Sequence, residues 1–430
     1  MRKRDIAISL VRGYNKDIMT TFLIFAGLVL LGMVVSVLQN LAIRFALRKD
    51  YIVPEADFLS GAEKTVDKHN RGALSPQSSS AEFCPPISIL KPLKGLDDEL
   101  FANLISFCNQ DYPDYEIIFA LEEEDDPALK IVHALQQQYP QQKISVVVKQ
   151  RDDAFNPKVN NLISAYGVSQ FPYILISDSD VRVARTYLRE IIKPMEDPQV
   201  GLVNNLIRGI GSRSIGSVLE NLHLNSFVIG NVAIMTSFFK MPVVVGKSIL
   251  MRKKDFEAIG GFAAVTRVLA EDYVMGTLMH KKGKRVITSG HVINAVNHYR
   301  TMKQFLKRHG RWGKLRWKLG GIGYCAEIMT NAVFISCLAP VVMGPTARAL
   351  SLAAAAWLIK IIGDYLLGKR IRSAHHFYHY LLSPIKDIIV GVIWFAPFFS
   401  RTVMWRRHIY KITKGSVLVP LDPLPDKKAQ

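Results

Sequence analysis

Cysteine is scarce in this 430-residue sequence, which has four cysteines and no CxxC pair: Cys84, Cys108, Cys325 and Cys337. This argues against a disulfide framework and a cysteine zinc site, and favours buried or free thiols in a reducing compartment. The sequence also lacks internal repeats, nucleic-acid modules and basic patches interleaved with aromatic residues. Its formal charge of +19 therefore does not indicate nucleic-acid binding.

The positive charge is concentrated in the C-terminal third, beside apolar segments. From Arg300 to Gln430 there are 21 Lys and Arg against 5 Asp and Glu, so +16 of the +19 lies there. Hydrophobic residues make up 49% of the chain, which is high for a soluble enzyme. Basic residues that flank apolar segments are typical of contact with the cytoplasmic face of a membrane.

The N-terminal region contains 21 uncharged residues in a row, from Ile18 to Leu38. As a helix, such a run spans the ~30 Å of a bilayer's hydrocarbon core. No small-residue cleavage site follows it, so residues 1–49 are predicted to hold a retained transmembrane anchor rather than a signal peptide. Residues 50–86 contain SPQSSS and scattered charges, and they are predicted to form a linker.

The C-terminal third has a different character. Residues 302–320 place basic side chains around one apolar helical face, which predicts an amphipathic helix lying in the membrane interface within 300–325. Membrane helices are predicted over 326–410, before a tail at 411–430. They come from three apolar segments: 326–343, 347–367 and 381–400.

The last apolar segment contains two charged residues and two prolines: Pro384, Lys386, Asp387 and Pro397. It is therefore predicted either to cross the membrane or to form a re-entrant or interfacial segment. The loop 367–373 is basic, which indicates the cytoplasm. Two spans then place the globular domain on the cytoplasmic side as well. We expect a multi-pass membrane protein, with the bacterial inner membrane as its location.

Between these regions, short apolar strands alternate with helices. The predicted strands lie at 87–93, 115–121, 144–148 and 173–177, and the predicted helices at 97–109, 127–138, 158–167 and 185–196. This alternation predicts an α/β domain over 87–299, built on a doubly wound, mostly parallel sheet. Ligands in such sheets bind at the carboxyl ends of the strands.

Two carboxylates follow the fourth predicted strand, in the string ISDSDVRV: Asp178 and Asp180. In an extended chain, residues i and i+2 point to the same side, where like charges repel unless a cation lies between them. Paired carboxylates suit Mg²⁺ or Mn²⁺ holding phosphate oxygens. The alternative is an ordinary Asp-rich turn, because short D-x-D strings are common.

Three more polar strings lie near predicted helix starts. Asp126 in EEEDDPAL is either a helix cap or a contact for a base or ribose. Lys158 in NPKVNNL belongs to a polar helix start or to the floor of a nucleotide pocket. Asp272 in LAEDYVMG is either an acid that favours the helix dipole or a general base.

A basic string, KRHGRW, lies in the predicted interface helix and contains Arg308, Arg311 and Trp312. Its arginines either snorkel from an interfacial helix or contact a diphosphate. Trp312 is either a membrane anchor or a stacking wall for an acceptor.

Taken in order, these strings resemble the inverting GT-A glycosyltransferases of the ceramide glucosyltransferase type, including bacterial hopanoid-associated enzymes. The family pattern of three aspartates and (Q/R)xxRW is similar to Asp126, Asp178, Asp272 and the run from Arg308 to Trp312. The resemblance covers about residues 85–331. It implies a GT-A domain with N- and C-terminal transmembrane or interfacial helices.

The resemblance also implies a role for each matching residue. Asp126 contacts the nucleoside, Asp178 with Asp180 holds the diphosphate through Mg²⁺ or Mn²⁺, and Asp272 is the general base. The other residues that the resemblance implies for nucleotide-sugar binding are Lys91 in ILKPLKG, Lys158, Arg308, Arg311 and Trp312. The implied reaction moves glucose or N-acetylglucosamine from a UDP-sugar to a lipid hydroxyl with inversion.

The acceptor is left open between a ceramide and a hopanoid. Eukaryotic ceramide glucosyltransferases read DSG where this chain reads DSD, which leans toward the hopanoid branch and makes a metal more plausible. Residues 204–245 are expected to shape the acceptor pocket. The alternatives are a processive GT-A polysaccharide synthase, which needs more spanning helices, and a non-catalytic membrane scaffold. Oligomeric state is not readable from the sequence.

Overall fold

The structure is a computed structural model that describes residues 2–47, 52, 54–55, 83–405 and 408–421. Most of the predicted linker, 50–86, lies outside the described residues, and so does the end of the predicted tail, 411–430. The described residues form an α/β domain that packs against a group of apolar helices. The predicted domain boundaries stay predictions.

The α/β domain is built on an eight-stranded sheet. Its strands are β1 Ile87–Pro92, β2 Tyr115–Leu121, β3 Lys143–Val148, β4 Tyr173–Ser177, β5 Val181–Arg182, β6 Val200–Ile210, β7 Ser248–Arg252 and β8 Arg285–Val296. The order across the sheet is β3-β2-β1-β4-β7-β6-β8-β5. Strand β7 runs antiparallel to both neighbours and β5 antiparallel to β8, while the other pairs are parallel. The predicted α/β architecture with a mostly parallel sheet is confirmed.

Helices precede the sheet and connect its strands. They are α1 Arg2–Ala46, α2 Leu100–Cys108, α3 Ala128–Gln138, α4 Pro157–Val168, α5 Tyr187–Ile192, α6 Ile215–His223, α7 Ile229–Ser237, α8 Lys253–Ala258 and α9 Glu271–Lys281. A π-helical turn, Leu224–Val228, joins α6 to α7, and 3-10 turns lie at Lys193–Glu196 and Gly261–Val265.

Both faces of the sheet are buried, because alternate residues of each strand point to opposite layers. Ile89 and Phe119 pack in the layer that contains Phe107 of α2, whereas Leu90 packs in the layer that contains Leu162 of α4. Polar side chains of the central strands therefore reach solvent chiefly where the strands end, and the candidate site lies at their carboxyl ends.

The C-terminal helices follow the last strand of the sheet. They are α10 Met302–Gly320, α11 Gly323–Met329, α12 Ala332–Met343, α13 Ala347–Arg370, α14 Phe377–Tyr380, α15 Ser383–Ile393 and α16 Ala396–Phe399. The helices end at Phe399, and a small sheet follows, made of β9 Thr402–Trp405, β10 His408–Ile412 and β11 Leu418–Pro420, with a 3-10 turn at Lys414–Ser416.

Three helical segments of the described residues are long and apolar enough to cross a membrane: Met19–Ala46, Ala347–Arg370 and Phe377–Phe399. The pair α11 and α12, bent by 69°, makes a fourth if it counts as one span. Helix α1 packs on the C-terminal helices, because Val29 lies in one cluster with Ile335 and Ala356. The first apolar segment of the chain thus packs against the segments 326–343 and 347–367, as expected of a membrane protein.

Candidate active site

The chain leaves β4 at Ser177 and turns sharply at Asp178. The turn is closed by the amide of Val181, which donates to the Asp178 carbonyl at 3.3 Å. Beneath it, the fully buried Lys91 donates to the same carbonyl at 2.9 Å and to the Ser177 hydroxyl at 3.3 Å. Asp178 and Asp180 are thus held by a turn, not by the extended chain that the sequence argument assumed. Because Lys91 contacts the backbone under this turn, its role in donor binding stays a prediction.

Both carboxylates of the turn face the ammonium of Lys247. The Lys247 nitrogen lies 2.5 Å from each carboxylate oxygen of Asp180 and 3.5 Å from Asp178 Oδ2. The repulsion anticipated from the sequence is therefore relieved by a lysine. Lys247 follows Gly246 in the loop before β7, and it is not among the residues selected from the sequence.

A second lysine, Lys158, joins Asp178 to the start of α9. Its ammonium lies 2.7 Å from Asp178 Oδ1 and 3.0 Å from Glu271 Oε1. Burial alone would raise the pKa of Asp178, but Lys158 and Lys247 outweigh burial and lower that pKa to about 2. Asp178 is consequently ionised throughout the physiological range of pH.

The polar start of α4 places Lys158 in this network. The side chain of Asn156 accepts the amide of Lys158 at 3.0 Å and caps the helix, while its Nδ2 donates to Glu271 Oε2 at 3.1 Å. Asn160 and Asn161 instead bind backbone groups of neighbouring loops. The predicted polar helix start is present, and Lys158 reaches the candidate site. That these residues form the floor of a nucleotide pocket stays a prediction.

Asp272 lies in the first turn of α9, next to Glu271. Its Oδ1 accepts the amide of Tyr273 at 2.8 Å, and a Cβ built on Gly246 would come within 2.8 Å of its Oδ2. Gly246 is therefore needed for the close approach of that loop. Burial and the neighbouring Glu271 raise the pKa of Asp272 to about 6. An acid with this pKa can accept a proton near neutral pH.

Asp126 ties together the loops after β1 and β2. Its two oxygens accept the amide of Gly95 at 3.0 and 2.9 Å, and Oδ1 also accepts the amide of Ala128 at 2.9 Å. The predicted capping role is thus present at the start of α3. Its predicted contact with a nucleoside stays a prediction.

The arginine motif of α10 is anchored by a buried carboxylate, Glu220 of α6. Arg308 Nε lies 3.0 Å from Glu220 Oε1, and His309 Nε2 lies 3.1 Å from Glu220 Oε2. Burial alone would raise the pKa of Glu220, but Arg308 and His309 lower it to about 2. The Arg308 guanidinium also lies 4.5 Å from the centre of the Trp312 ring. These contacts fix the orientation of the motif relative to the domain.

A basic cavity with an empty volume of about 1010 Å³ opens beside α10. Its lining includes five cationic residues: Arg300, Lys307, Arg308, Arg311 and Lys314. Arg311 interacts electrostatically with Glu271, and Arg300 with Asp180, so this basic surface borders the acidic network. The structure brings Asp178, Asp180, Lys158 and Asp272 together in one network, and it places Arg308 and Arg311 on the adjoining wall. Trp312 packs instead against the hydrophobic core of the α/β domain.

The residues present fit a divalent cation at the turn. No group of three or more His, Cys, Asp or Glu side chains within the described ranges is arranged to hold a metal ion. Mg²⁺, however, commonly binds one or two carboxylates together with substrate phosphates and water. Asp178 and Asp180 supply such a pair, already neutralised by a cation. Burial, followed by the charge of Asp180, raises the pKa of the neighbouring Asp97.

Comparison with known families identifies the chain. The sequence profile of glycosyl transferase family 21 matches residues 58–418, which is most of the sequence. The chain belongs to glycosyl transferase family 21. The predicted membership of a ceramide glucosyltransferase-type family is confirmed, and the observed α/β sheet with its flanking apolar helices agrees with the GT-A architecture that the resemblance implies.

Individual relatives of this family 21 chain are similar over part of its length. Ceramide glucosyltransferase 1 of Caenorhabditis elegans is 27% identical over 238 residues, which are 54% of this chain and 50% of that protein. Ceramide glucosyltransferase of Komagataella phaffii is 39% identical over 101 residues, 23% of this chain and 20% of that protein. The chain spans about half the length of the first of these relatives.

Among solved structures, a mannosyltransferase from Pyrobaculum calidifontis in complex with GDP-Man and Mn²⁺ is similar. Its TM-score is 0.46 and its sequence identity 18%, with 80% of this chain and 99% of that chain covered.

Sequence reasoning missed two charged residues of this family 21 site, Lys247 and Glu220. Each lies singly within an apolar stretch, VVVGKSIL and SVLENLHL. A signal was present, because a charge in a buried segment requires a partner. The sequence does not reveal the partner, since Glu220 meets Arg308 and Lys247 meets Asp180 only in the folded chain.

Proposed function

We propose that this chain is a membrane-bound inverting glycosyltransferase. It moves glucose or N-acetylglucosamine from a UDP-sugar to the hydroxyl of a lipid, a ceramide or a hopanoid. The observation that carries the proposal is the continuous network from Asp272 and Glu271 through Lys158 to Asp178. It places a proton acceptor and a cation-bound carboxylate side by side at the carboxyl ends of the strands.

Asp272 acts as the general base. With a pKa of about 6, its carboxylate is ionised at neutral pH and accepts the proton from the acceptor hydroxyl. The acceptor oxygen forms a bond with the anomeric carbon while the bond from that carbon to the diphosphate oxygen breaks. A single displacement of this kind inverts the configuration and requires no carboxylate nucleophile.

The cationic side chains act on the donor. Lys158 and Lys247 bring two ammonium groups to the Asp178 turn, and the basic cavity adds Arg300, Arg308 and Arg311. Positive charge at these positions favours binding of the nucleoside diphosphate and its departure as an anion. Asp178 and Asp180 would hold Mg²⁺ or Mn²⁺, which neutralises charge on the leaving diphosphate when bound.

The acceptor comes from the membrane. Helix α10 has one basic face and one buried apolar face, and it lies beside the apolar helices. The arginines that line the basic cavity therefore lie next to the expected bilayer surface. The basic residues around the spans favour a cytoplasmic catalytic domain, in a bacterial inner membrane.

A transfer assay tests the proposal. Purified protein in nanodiscs receives radiolabelled UDP-glucose or UDP-N-acetylglucosamine, Mn²⁺, and either a ceramide or a hopanoid polyol, and the lipid products are separated by chromatography. We expect one added sugar and inverted configuration. Asp272→Asn should lower the turnover number by about 10²–10⁴-fold. The control is Glu124→Gln, at an exposed acid of the run that precedes α3.

Three results would contradict the proposal. Unimpaired turnover of Asp272→Asn would remove Asp272 as the base. A ladder of products would favour a processive synthase. Absence of both transfer and nucleotide-sugar binding would favour a non-catalytic scaffold.

A further inference from the structure

A second cavity lies where the α/β domain meets the apolar helices, apart from the basic cavity beside α10. It contains about 750 Å³ of space, which includes the open space at its mouth. It is lined by α1, the bent pair α11 and α12, α13, α15 and the end of α6. Candidate spans thus form most of its wall, and the α/β domain supplies the remainder through His223 and Phe227.

The wall of this cavity is partly apolar and partly polar. Apolar side chains such as Val35, Ile359 and Val390 lie beside polar ones, among them Ser36, Gln39, His223, Asn331, Lys360 and Asp387. Polar and ionisable residues between membrane-spanning helices are costly, and they commonly mark a functional site. A mixed lining of this kind matches a molecule that has an apolar body and a polar head.

The charges around the cavity cancel within the described residues. Lys360 lies 3.0 Å from Asp364 and 3.3 Å from Asp387, and Lys386 lies 2.8 Å from Asp387. A further lining acid, Glu327, is paired with Arg316 at 2.8 Å. Two lysines face two aspartates, and the remaining acid is neutralised. The cavity therefore offers no net positive charge to a phosphate, and it suits a neutral, hydrogen-bonding head.

His223 supplies an unused hydrogen-bonding group at the inner end. Its ring is 1% exposed and lines the cavity, and neither nitrogen has a hydrogen-bond partner among the residues that the structure describes. Burial, with His309 nearby, lowers the pKa of His223 well below its usual range. The neutral ring presents one N–H donor and one nitrogen acceptor. A buried group of this kind costs free energy unless a ligand completes its hydrogen bonds.

We propose that this cavity binds the acceptor: a neutral membrane lipid whose head carries hydroxyl groups, with His223 as a hydrogen-bonding contact. The inference rests on the proposed function, because it assigns a place to the lipid that receives the sugar. It extends the expectation that residues 204–245 shape the acceptor pocket: His223 and Phe227 belong to that segment, and most of the remaining lining comes from α1 and the C-terminal helices.

A row of packed rings runs from the cavity to α10, which carries the arginine motif. The His223 ring lies 4.5 Å from the His309 ring, and His309 lies 5.3 Å from Trp312. His309 also shares Glu220 with Arg308, which lines the basic cavity. A lipid head that binds His223 would therefore lie next to α10, the helix that carries the arginine motif.

Two matched substitutions on α1 test the inference. Ser36→Trp fills the cavity, whereas Val37→Trp places the same ring on the neighbouring residue, which is 56% exposed and does not line it. We expect Ser36→Trp to raise the KM for the lipid acceptor at least tenfold with the KM for the UDP-sugar unchanged. Val37→Trp should leave both unchanged. An unchanged acceptor KM in folded Ser36→Trp would overturn the inference.

Photolabelling of the wild-type chain gives a test that does not depend on a variant. Ceramide, a hopanoid polyol and phosphatidylglycerol, each with a diazirine, are irradiated with the protein in nanodiscs, and labelled residues are located by mass spectrometry. We expect ceramide or the hopanoid to label the cavity lining, with competition by the unlabelled lipid. Labelling only beside the basic cavity, or stronger labelling by phosphatidylglycerol, would overturn the inference.

The two proposals fail in different ways. Sugar transfer by the wild type with no label in the cavity would refute this inference and leave the proposed function standing. Specific label in the cavity without transfer of sugar would refute the proposed function and support a lipid site.

Discussion

Lys247 contacts Asp180 through both carboxylate oxygens, each 2.5 Å from the ammonium nitrogen. The same ammonium lies 3.5 Å from Asp178, so a divalent cation that binds these carboxylates competes with it. We expect Lys247→Met to lower the Mn²⁺ concentration for half-maximal sugar transfer by about tenfold, equal to about 1.4 kcal/mol. The measurement is transfer rate against Mn²⁺ concentration.

Lys254→Met, at an exposed lysine of α8, is the control for the loss of one positive charge. Inactivity of Lys247→Met even at saturating Mn²⁺ would contradict competition. It would indicate that the action of Lys247 on the donor outweighs its competition with the cation.

Substitution of Glu220 should reduce both stability and activity, because it leaves Arg308 and His309 without their buried carboxylate. Breaking a buried ion pair costs about 3–5 kcal/mol. The pKa of Glu220 is depressed to about 2, so its stabilisation is present above about pH 4.5 and is lost as the pH falls toward 2. Denaturation of wild type and Glu220→Gln should therefore differ most at neutral pH.

The control for Glu220→Gln is Glu190→Gln, which removes the ion pair with the half-exposed Lys193 and should cost less than about 1 kcal/mol. A stability loss that persists undiminished at pH 3 would argue against the ion pair as the cause.

Asp272 links the proposed chemistry to pH. Its folded-state pKa of about 6 lies above the ordinary value of 3.8, so its favourable contribution is present below about pH 3.8 and is lost as the pH rises through 6. Asp272→Asn should therefore raise the melting temperature by a few degrees at pH 7.5 and have little effect at pH 3.5. In the wild type, kcat/KM should fall below pH 6 as the base becomes protonated.

Thermal unfolding in detergent and a pH profile of transfer measure these two effects. A variant that is inactive but no more stable than the wild type at pH 7.5 would show that the ionised Asp272 does not destabilise the folded protein.

Asp126 provides a test of the donor side. Asp126→Ala removes the two contacts with the Gly95 amide and frees the loops after β1 and β2, so the KM for the UDP-sugar should rise about tenfold, or about 1.4 kcal/mol. The KM for the acceptor should stay constant. Glu123→Ala, at an exposed neighbour, serves as control. Lower stability with an unchanged donor KM would limit Asp126 to a structural role.

The first half of the sheet could be predicted closely because its strands are apolar and its helices begin with clear signals. The run YEIIFAL forms β2 over its whole length, and Asn156 with Pro157 starts α4 as expected. Strands β6 and β8 could not be predicted in the same way. Strand β6 buries Arg208, which is tolerated because its guanidinium donates to Asn294 and to the Ile371 carbonyl. Those partners lie far away in the chain.

The candidate site, too, could be predicted only where local sequence signals select its residues. The carboxylates Asp178 and Asp272 could be selected from local strings, because each follows a strand or starts a helix. Lys247, which relieves the charge of Asp178 and Asp180, comes from the loop before β7, and the glutamate that holds Arg308 comes from α6. Tertiary contacts of this kind leave no periodic trace in the sequence.

The packing of α1 against the C-terminal helices has a consequence for biosynthesis. Val29 finds its neighbours Ile335 and Ala356 only after almost the whole chain has left the ribosome. Domains generally fold as they emerge, beginning at the N-terminus. The sheet is therefore complete when α1 is the only one of the described candidate spans that has been synthesised. The cavity between the apolar helices forms last. A chain truncated after the sheet would contain the acidic residues of the candidate active site but would lack most of the lining of the proposed acceptor cavity.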